Sequence, residues 1–126
     1  MIGLLDLGLN NLYSIQRTFK LTNCKFEVVS AGDLSKYEKI VIPGVGSYPS
    51  VMKYLENNTW RTQLEQYVNK GNYVLGICLG MQLFFESGSE GEESIEGLSF
   101  IEGSVIKLNP SKKSKVPHIG WNILQQ

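Results

Sequence analysis

Most of the features that announce a function class are missing from this sequence. Twelve basic residues are matched by twelve acidic ones, so the formal net charge is zero. Without a surplus of positive charge there is no electrostatic case for nucleic acid or an anionic membrane surface, and neither is expected as a partner. No uninterrupted apolar run approaches the roughly 20 residues needed to span a bilayer. The opening MIGLLDLG contains Asp6 and lacks a basic stretch, so it reads as a first strand rather than an export signal. The expected compartment is therefore cytoplasmic and reducing, with Cys24 and Cys78 as free thiols. One histidine and two distant cysteines give no metal-ligand spacing, so no metal site and no cofactor is expected.

What is present suits one core. Hydrophobic residues make up 42% of the 126 and charged residues 19%, an ordinary globular balance for a single domain. Ile2 to Leu7 reads as a buried strand. Leu12, Ile15 and Phe19 then recur at helical spacing behind Asn10 or Asn11 as a cap. Phe26 to Val29 and Lys39 to Ile42 are two further strands, the second stopped by PGVG at Pro43 to Gly46. Val51, Met52 and Leu55 share one helical face, and Leu64, Tyr67 and Val68 another. Asn72 to Ile77 is a fourth strand, followed by a helix over Leu79 to Phe85. The order β-α-β-β-α-α-β-α predicts an α/β fold, a mostly parallel sheet with helices on both faces.

From Ser87 the composition changes. ESGSEGEESIEG is acidic and glycine-rich and reads as an exposed connector. Ser104 to Leu108 and VPHIGWNIL carry strand character, with the basic turn NPSKKSK between them. No closing element follows, so the sequence reads as an unfinished domain.

The chemistry concentrates in VLGICLGMQ. In open α/β sheets, ligands sit beyond the carboxyl ends of the strands, and Cys78 falls at such an end. Gly-x-Cys-x-Gly is the thiol counterpart of the Gly-x-Ser-x-Gly elbow, in which a tight strand–turn–helix lifts a nucleophile clear of the sheet. The start of a helix favours thiolate, and the N–H of Leu79 is placed to stabilise an oxyanion. The competing reading is a buried, inert cysteine acting as a small hydrophobe. Cys24, in LTNCKF, has no such frame. PGVG after the third strand either brings a second oxyanion N–H beside Cys78 or is a plain glycine turn.

GICLGMQ with an upstream PGVG resembles the class I glutamine amidotransferases. DLGLNNLYS, IVIPGVGSY, VLGICLGMQLFFES, GLSFIEGSV and KVPHIGWN narrow the resemblance to the glutaminase subunits of imidazole glycerol phosphate synthases, over essentially the whole chain. The resemblance implies a flavodoxin-like fold, with residues 1–126 as the N-terminal portion of an amidotransferase domain that is C-terminally incomplete. It implies glutamine as substrate, cleaved to glutamate and ammonia. Cys78 would form a glutamyl thioester, Gly46 and Leu79 would line the oxyanion hole, and Gly44 and Gln82 would hold the substrate. Asn11, Pro117, His118 and Trp121 would face a synthase (cyclase) barrel subunit, completing a heterodimer that uses the ammonia in histidine biosynthesis.

Some positions depart from the pattern. Asn10 stands where the family usually has glycine, and Leu7 where an aromatic is common. These leave room for a paralogue that feeds ammonia to surface-polysaccharide sugar synthesis. The family's triad His and Glu lie in a segment beyond Gln126, so the 126 residues alone are expected to be inactive. From a different class, an elbow-cysteine redox or stress protein of the DJ-1 type would also display such a thiol. Oxidation of Cys78 to a stable sulfinic acid would mark it.

Overall fold

In the computed structural model of the chain, β1 (Ile2–Leu5), β2 (Phe26–Val29), β3 (Lys39–Gly44) and β4 (Tyr73–Cys78) form a parallel sheet. Their order is β2-β1-β3-β4. The structure describes residues 1–8, 12–89, 93–110, 116–117, 119–121 and 123. Parallel neighbours need crossovers: α1 (Leu12–Leu21) links β1 to β2, a short 3-10 turn at Leu34–Lys36 lies between β2 and β3, α2 (Tyr48–Asn57) and α3 (Trp60–Asn69) link β3 to β4, and the single turn α4 (Leu79–Gln82) follows β4. The α/β order read from periodicity is the order observed up to α4.

The core lies on one side of this sheet. Leu5, Ile40 and Ile42 meet Val51, Met52 and Leu55 of α2 and Leu64 and Tyr67 of α3, all buried. Each such side chain contributes about 1.5–3 kcal/mol by leaving water. The Tyr67 hydroxyl donates to the Tyr37 carbonyl at 2.9 Å, satisfying a buried polar pair. α2 starts where its sequence allows: Ser47 caps it by accepting from the Ser50 N–H, and Pro49 stands in its first turn.

The other face carries α1. Phe19 packs against Phe26 with ring centroids 5.3 Å apart, yet no α1 residue is buried. Helices thus cover both faces, one of them only partly.

Four expectations are corrected from α4 onward. The helix expected over Leu79 to Phe85 ends at Gln82, because Phe85–Gly88 becomes strand β5. The backbone there is claimed by a partner segment: Leu98 N–H donates to Leu83 O at 2.8 Å and Phe100 N–H to Phe84 O at 2.7 Å. The acidic connector carries β6 (Ile95–Glu96), and the strand expected at Ser104 to Leu108 is β7 (Ile101–Val105). β5 pairs antiparallel with β6 and parallel with β7, a second sheet of order β6-β5-β7. The described residues of VPHIGWNIL form no strand.

Candidate functional site

β4 runs straight into the elbow. Cys78 caps α4 with φ 55° and ψ −119°, a left-handed backbone rarely tolerated outside glycine. Such a residue costs about 1–3 kcal/mol, and persists only where its surroundings fix it. The surroundings here are backbone on two sides. A Cβ on Gly76 would stand 2.5 Å from both N and Cα of Met81. A Cβ on Gly80 would run into the carbonyl oxygen of Ile42. The glycines therefore supply room for α4 to lie directly on β3 and β4. The unusual torsion falls on the cysteine itself.

The thiol of Cys78 is exposed, which disposes of the buried-hydrophobe reading. Cys24 is also exposed, on a turn beside Thr22, whose hydroxyl lies 3.4 Å from its sulfur. α4 has only four residues, so what the elbow offers is the free N–H groups of a first turn, Leu79 first, rather than the field of a long helix.

The PGVG loop arrives from the neighbouring strand. Gly44 is the register partner of Cys78 across β3 and β4. Close packing holds it there: a Cβ on Gly44 would lie 2.7 Å from the Leu79 Cβ. Gly46 is exposed, with φ 110° and open space around it. Cys78, Leu79, Gly44 and the start of the Val45–Gly46 peptide are thus one cluster at the carboxyl end of the sheet.

Gln82, one turn beyond the cysteine and half-buried, lines a groove of about 520 Å³ with Ser89, Val105, Lys107, Leu108 and Pro117. Two expectations meet in that groove, since the resemblance gives Gln82 to the substrate and Pro117 to the partner face. Ser89 and Lys107 carry no signal in the sequence. Both sit by β5 and β7, strands too short for alternation to reveal. Trp121 is fully exposed. Asn11 and His118 lie outside the described residues. Among those described, no helix is long and apolar enough to cross a membrane.

A cysteine on a strained strand-to-helix elbow, beside a glycine loop in an α/β sheet, defines the class. The family model of the CobB/CobQ-like glutamine amidotransferase domain matches residues 10–116, and the chain belongs to that family. A solved structure described as a glutamine amidotransferase shares the fold, with TM-score 0.60 at 16% identity over 71% of this chain and 47% of the other. Among individual proteins, the chain is similar to the imidazole glycerol phosphate synthase subunit HisH of Prochlorococcus marinus strain SARG, 40% identical over 99% of this chain and 58% of that protein. HisH of Caldanaerobacter subterraneus is 38% identical over 98% of this chain and 60% of its own length. HisH 1 of Campylobacter jejuni 81-176 is 43% identical over 99% and 63%. The chain spans about three-fifths of the length of these curated relatives.

Proposed function

We propose that this chain is the N-terminal portion of a glutaminase subunit that makes ammonia for a synthase partner, as the names of its relatives suggest, in the cytoplasm. The Cys78 sulfur attacks the side-chain carbonyl carbon of glutamine, forming a C–S bond. The negative charge that develops on oxygen is met by the N–H of Leu79 and, from the neighbouring loop, that of Gly46. Collapse of the tetrahedral species breaks the C–N bond and releases ammonia, leaving a glutamyl thioester. Water then adds to the thioester, giving glutamate and restoring the thiol. Gly44 and Gln82 hold the substrate; Pro117 and Trp121, with Asn11 and His118, meet the barrel subunit that receives ammonia to build imidazole glycerol phosphate for histidine biosynthesis.

Both acylation and departure of ammonia need a proton carrier within hydrogen-bond reach. The family resemblance gives that role to a His and a Glu, here proposed to lie outside these 126 residues. The observation that carries the reading is the exposed Cys78 at φ 55°, with Gly44 as its register partner. Ammonia release from glutamine, measured on a chain extended to the relatives' length with its synthase, tests it. Cys78→Ala abolishes release and Cys24→Ala retains most of it; undiminished release from the Cys78 variant refutes the mechanism.

A further inference from the structure

Arg61, in the first turn of α3, joins elements that the chain order keeps apart. Its Nη2 donates to the Glu96 carboxylate of β6 at 2.9 Å and to the Gly97 carbonyl at 2.8 Å. Nη1 donates to Glu56 of α2 at 3.4 Å, and Nε to Glu65 within α3 at 3.1 Å. The arginine side chain is 22% exposed, against 74% for Glu96. An ion pair with so exposed a partner contributes at most about 1 kcal/mol. The bond to the Gly97 backbone is what fixes the end of β6.

That end of β6 rests on Tyr48, which is fully buried. A Cβ on Gly97 would stand 2.6 Å from the Tyr48 hydroxyl oxygen, and one on Gly88 would stand 2.7 Å from Cζ of its ring. Bare backbone from β5 and from the end of β6 therefore closes over this ring. The Gly97 N–H donates to the Glu86 carbonyl at 2.9 Å, which ties the two segments into one piece. Burial raises the Tyr48 hydroxyl above the usual tyrosine range and the Arg61 charge opposes that rise, so the cation is felt at the ring. Tyr48 is also the first residue of α2, one past the cap Ser47 and two past Gly46. No atom lies within 4 Å of where a Gly46 side chain would stand, so packing around Gly46 itself does little to hold that peptide.

We infer that Arg61 is a positioning residue for the site at Cys78. It pins the end of β6 to α3, closes Gly88 and Gly97 over Tyr48, and so fixes where the Val45–Gly46 peptide stands. The guanidinium acts through Gly97, Tyr48 and Ser47 rather than on glutamine. Its effect on turnover rests on the glutaminase reading, in which the Gly46 N–H meets the developing oxyanion; the tether itself does not. A displaced oxyanion donor weakens transition-state binding and leaves substrate binding nearly unchanged.

The test uses the chain extended to the relatives' length, with Arg61→Ala, Arg61→Lys and Glu65→Ala, the last removing only the pair within α3. Ammonia release is measured with the synthase. Amide hydrogen exchange is followed at Ser50 and Val51, whose N–H groups bond Ser47. Arg61→Ala lowers kcat about tenfold with KM within about twofold, and speeds exchange of both amides about tenfold. Arg61→Lys keeps a charge and a donor and restores kcat to within about threefold. Glu65→Ala matches the unsubstituted chain in both measurements. Unchanged kcat in Arg61→Ala overturns the inference whatever happens to Tm, and so does an equal loss in Glu65→Ala. Release that survives Cys78→Ala instead refutes the glutaminase reading, and the exchange at Ser50 and Val51 then decides the tether by itself.

Discussion

Gly80→Ala is the sharpest test of the elbow's construction. The new methyl group would be driven into the carbonyl of Ile42, with the carbonyl carbon only 2.8 Å away. A flexible side-chain tip could swing aside, but here both surfaces are backbone, so α4 must lift from β3. Overpacking costs about 1–3 kcal/mol when side chains can adjust, which puts this substitution near the top, at about 3 kcal/mol. With about 2.1 cal/mol/K per residue over 126 residues, the unfolding entropy is about 0.26 kcal/mol/K, and the expected fall in Tm is about 11 °C. Gly120→Ala is the control: a Cβ there meets nothing within 4 Å and φ is not positive, so Tm moves by no more than about 2 °C. Thermal unfolding followed by circular dichroism reads both. Equal Tm for the two variants would mean that α4 does not depend on a bare backbone at position 80.

Cys78→Gly is expected to be more stable than Cys78→Ala by about 1 kcal/mol, because glycine relieves the positive φ and alanine keeps it; chemical denaturation gives the difference, and alanine equal to or above glycine contradicts a strained elbow. Tyr67→Phe leaves the buried Tyr37 carbonyl without its donor and costs about 1–2 kcal/mol at neutral pH. Burial, followed by the nearby Glu38 charge, raises the Tyr67 hydroxyl above the usual tyrosine range, and burial does the same to Tyr48. Their contribution is therefore complete below about pH 10 and lost as pH rises through the raised folded values, so Tyr67→Phe flattens the alkaline decline of stability. An unchanged alkaline limb would show that Tyr67 does not titrate against folding.

The parts of the fold legible in the sequence are those with a full period to read. Lys39 to Ile42 and Asn72 to Ile77 are runs long enough to announce strands, though only the first is buried, and Leu55 and Leu64 belong to complete helical stripes. β6 has two residues, and neither β5 nor β7 exceeds five; glycine and glutamate dominate their surroundings, so composition points to a loop. Phe85 reads as helical because Leu83 and Phe84 continue an apolar run. What ends that helix is a distant segment, Leu98 to Ile101, that bonds the backbone of Leu83 and Phe84. No local pattern carries that information. At the site, glycine spacing locates Cys78 and its turn, but the reason for the glycines is tertiary: Gly80 faces Ile42, 38 residues earlier in the chain, and Gly44 faces Leu79. Gln82 is placed by resemblance, whereas Ser89 and Lys107 share its groove through β5 and β7.

The most direct measurement uses the two cysteines against each other, since both are exposed and only one stands on an elbow. The chain is incubated with a diazoketone analogue of glutamine, and adducts are located by peptide mass spectrometry with and without excess glutamine. The expected result is a single adduct on Cys78 that glutamine suppresses, with Cys24 unmodified. Equal labelling of Cys24 and Cys78, or labelling of Cys78 that glutamine leaves unchanged, would contradict a glutamine-directed nucleophile at this position.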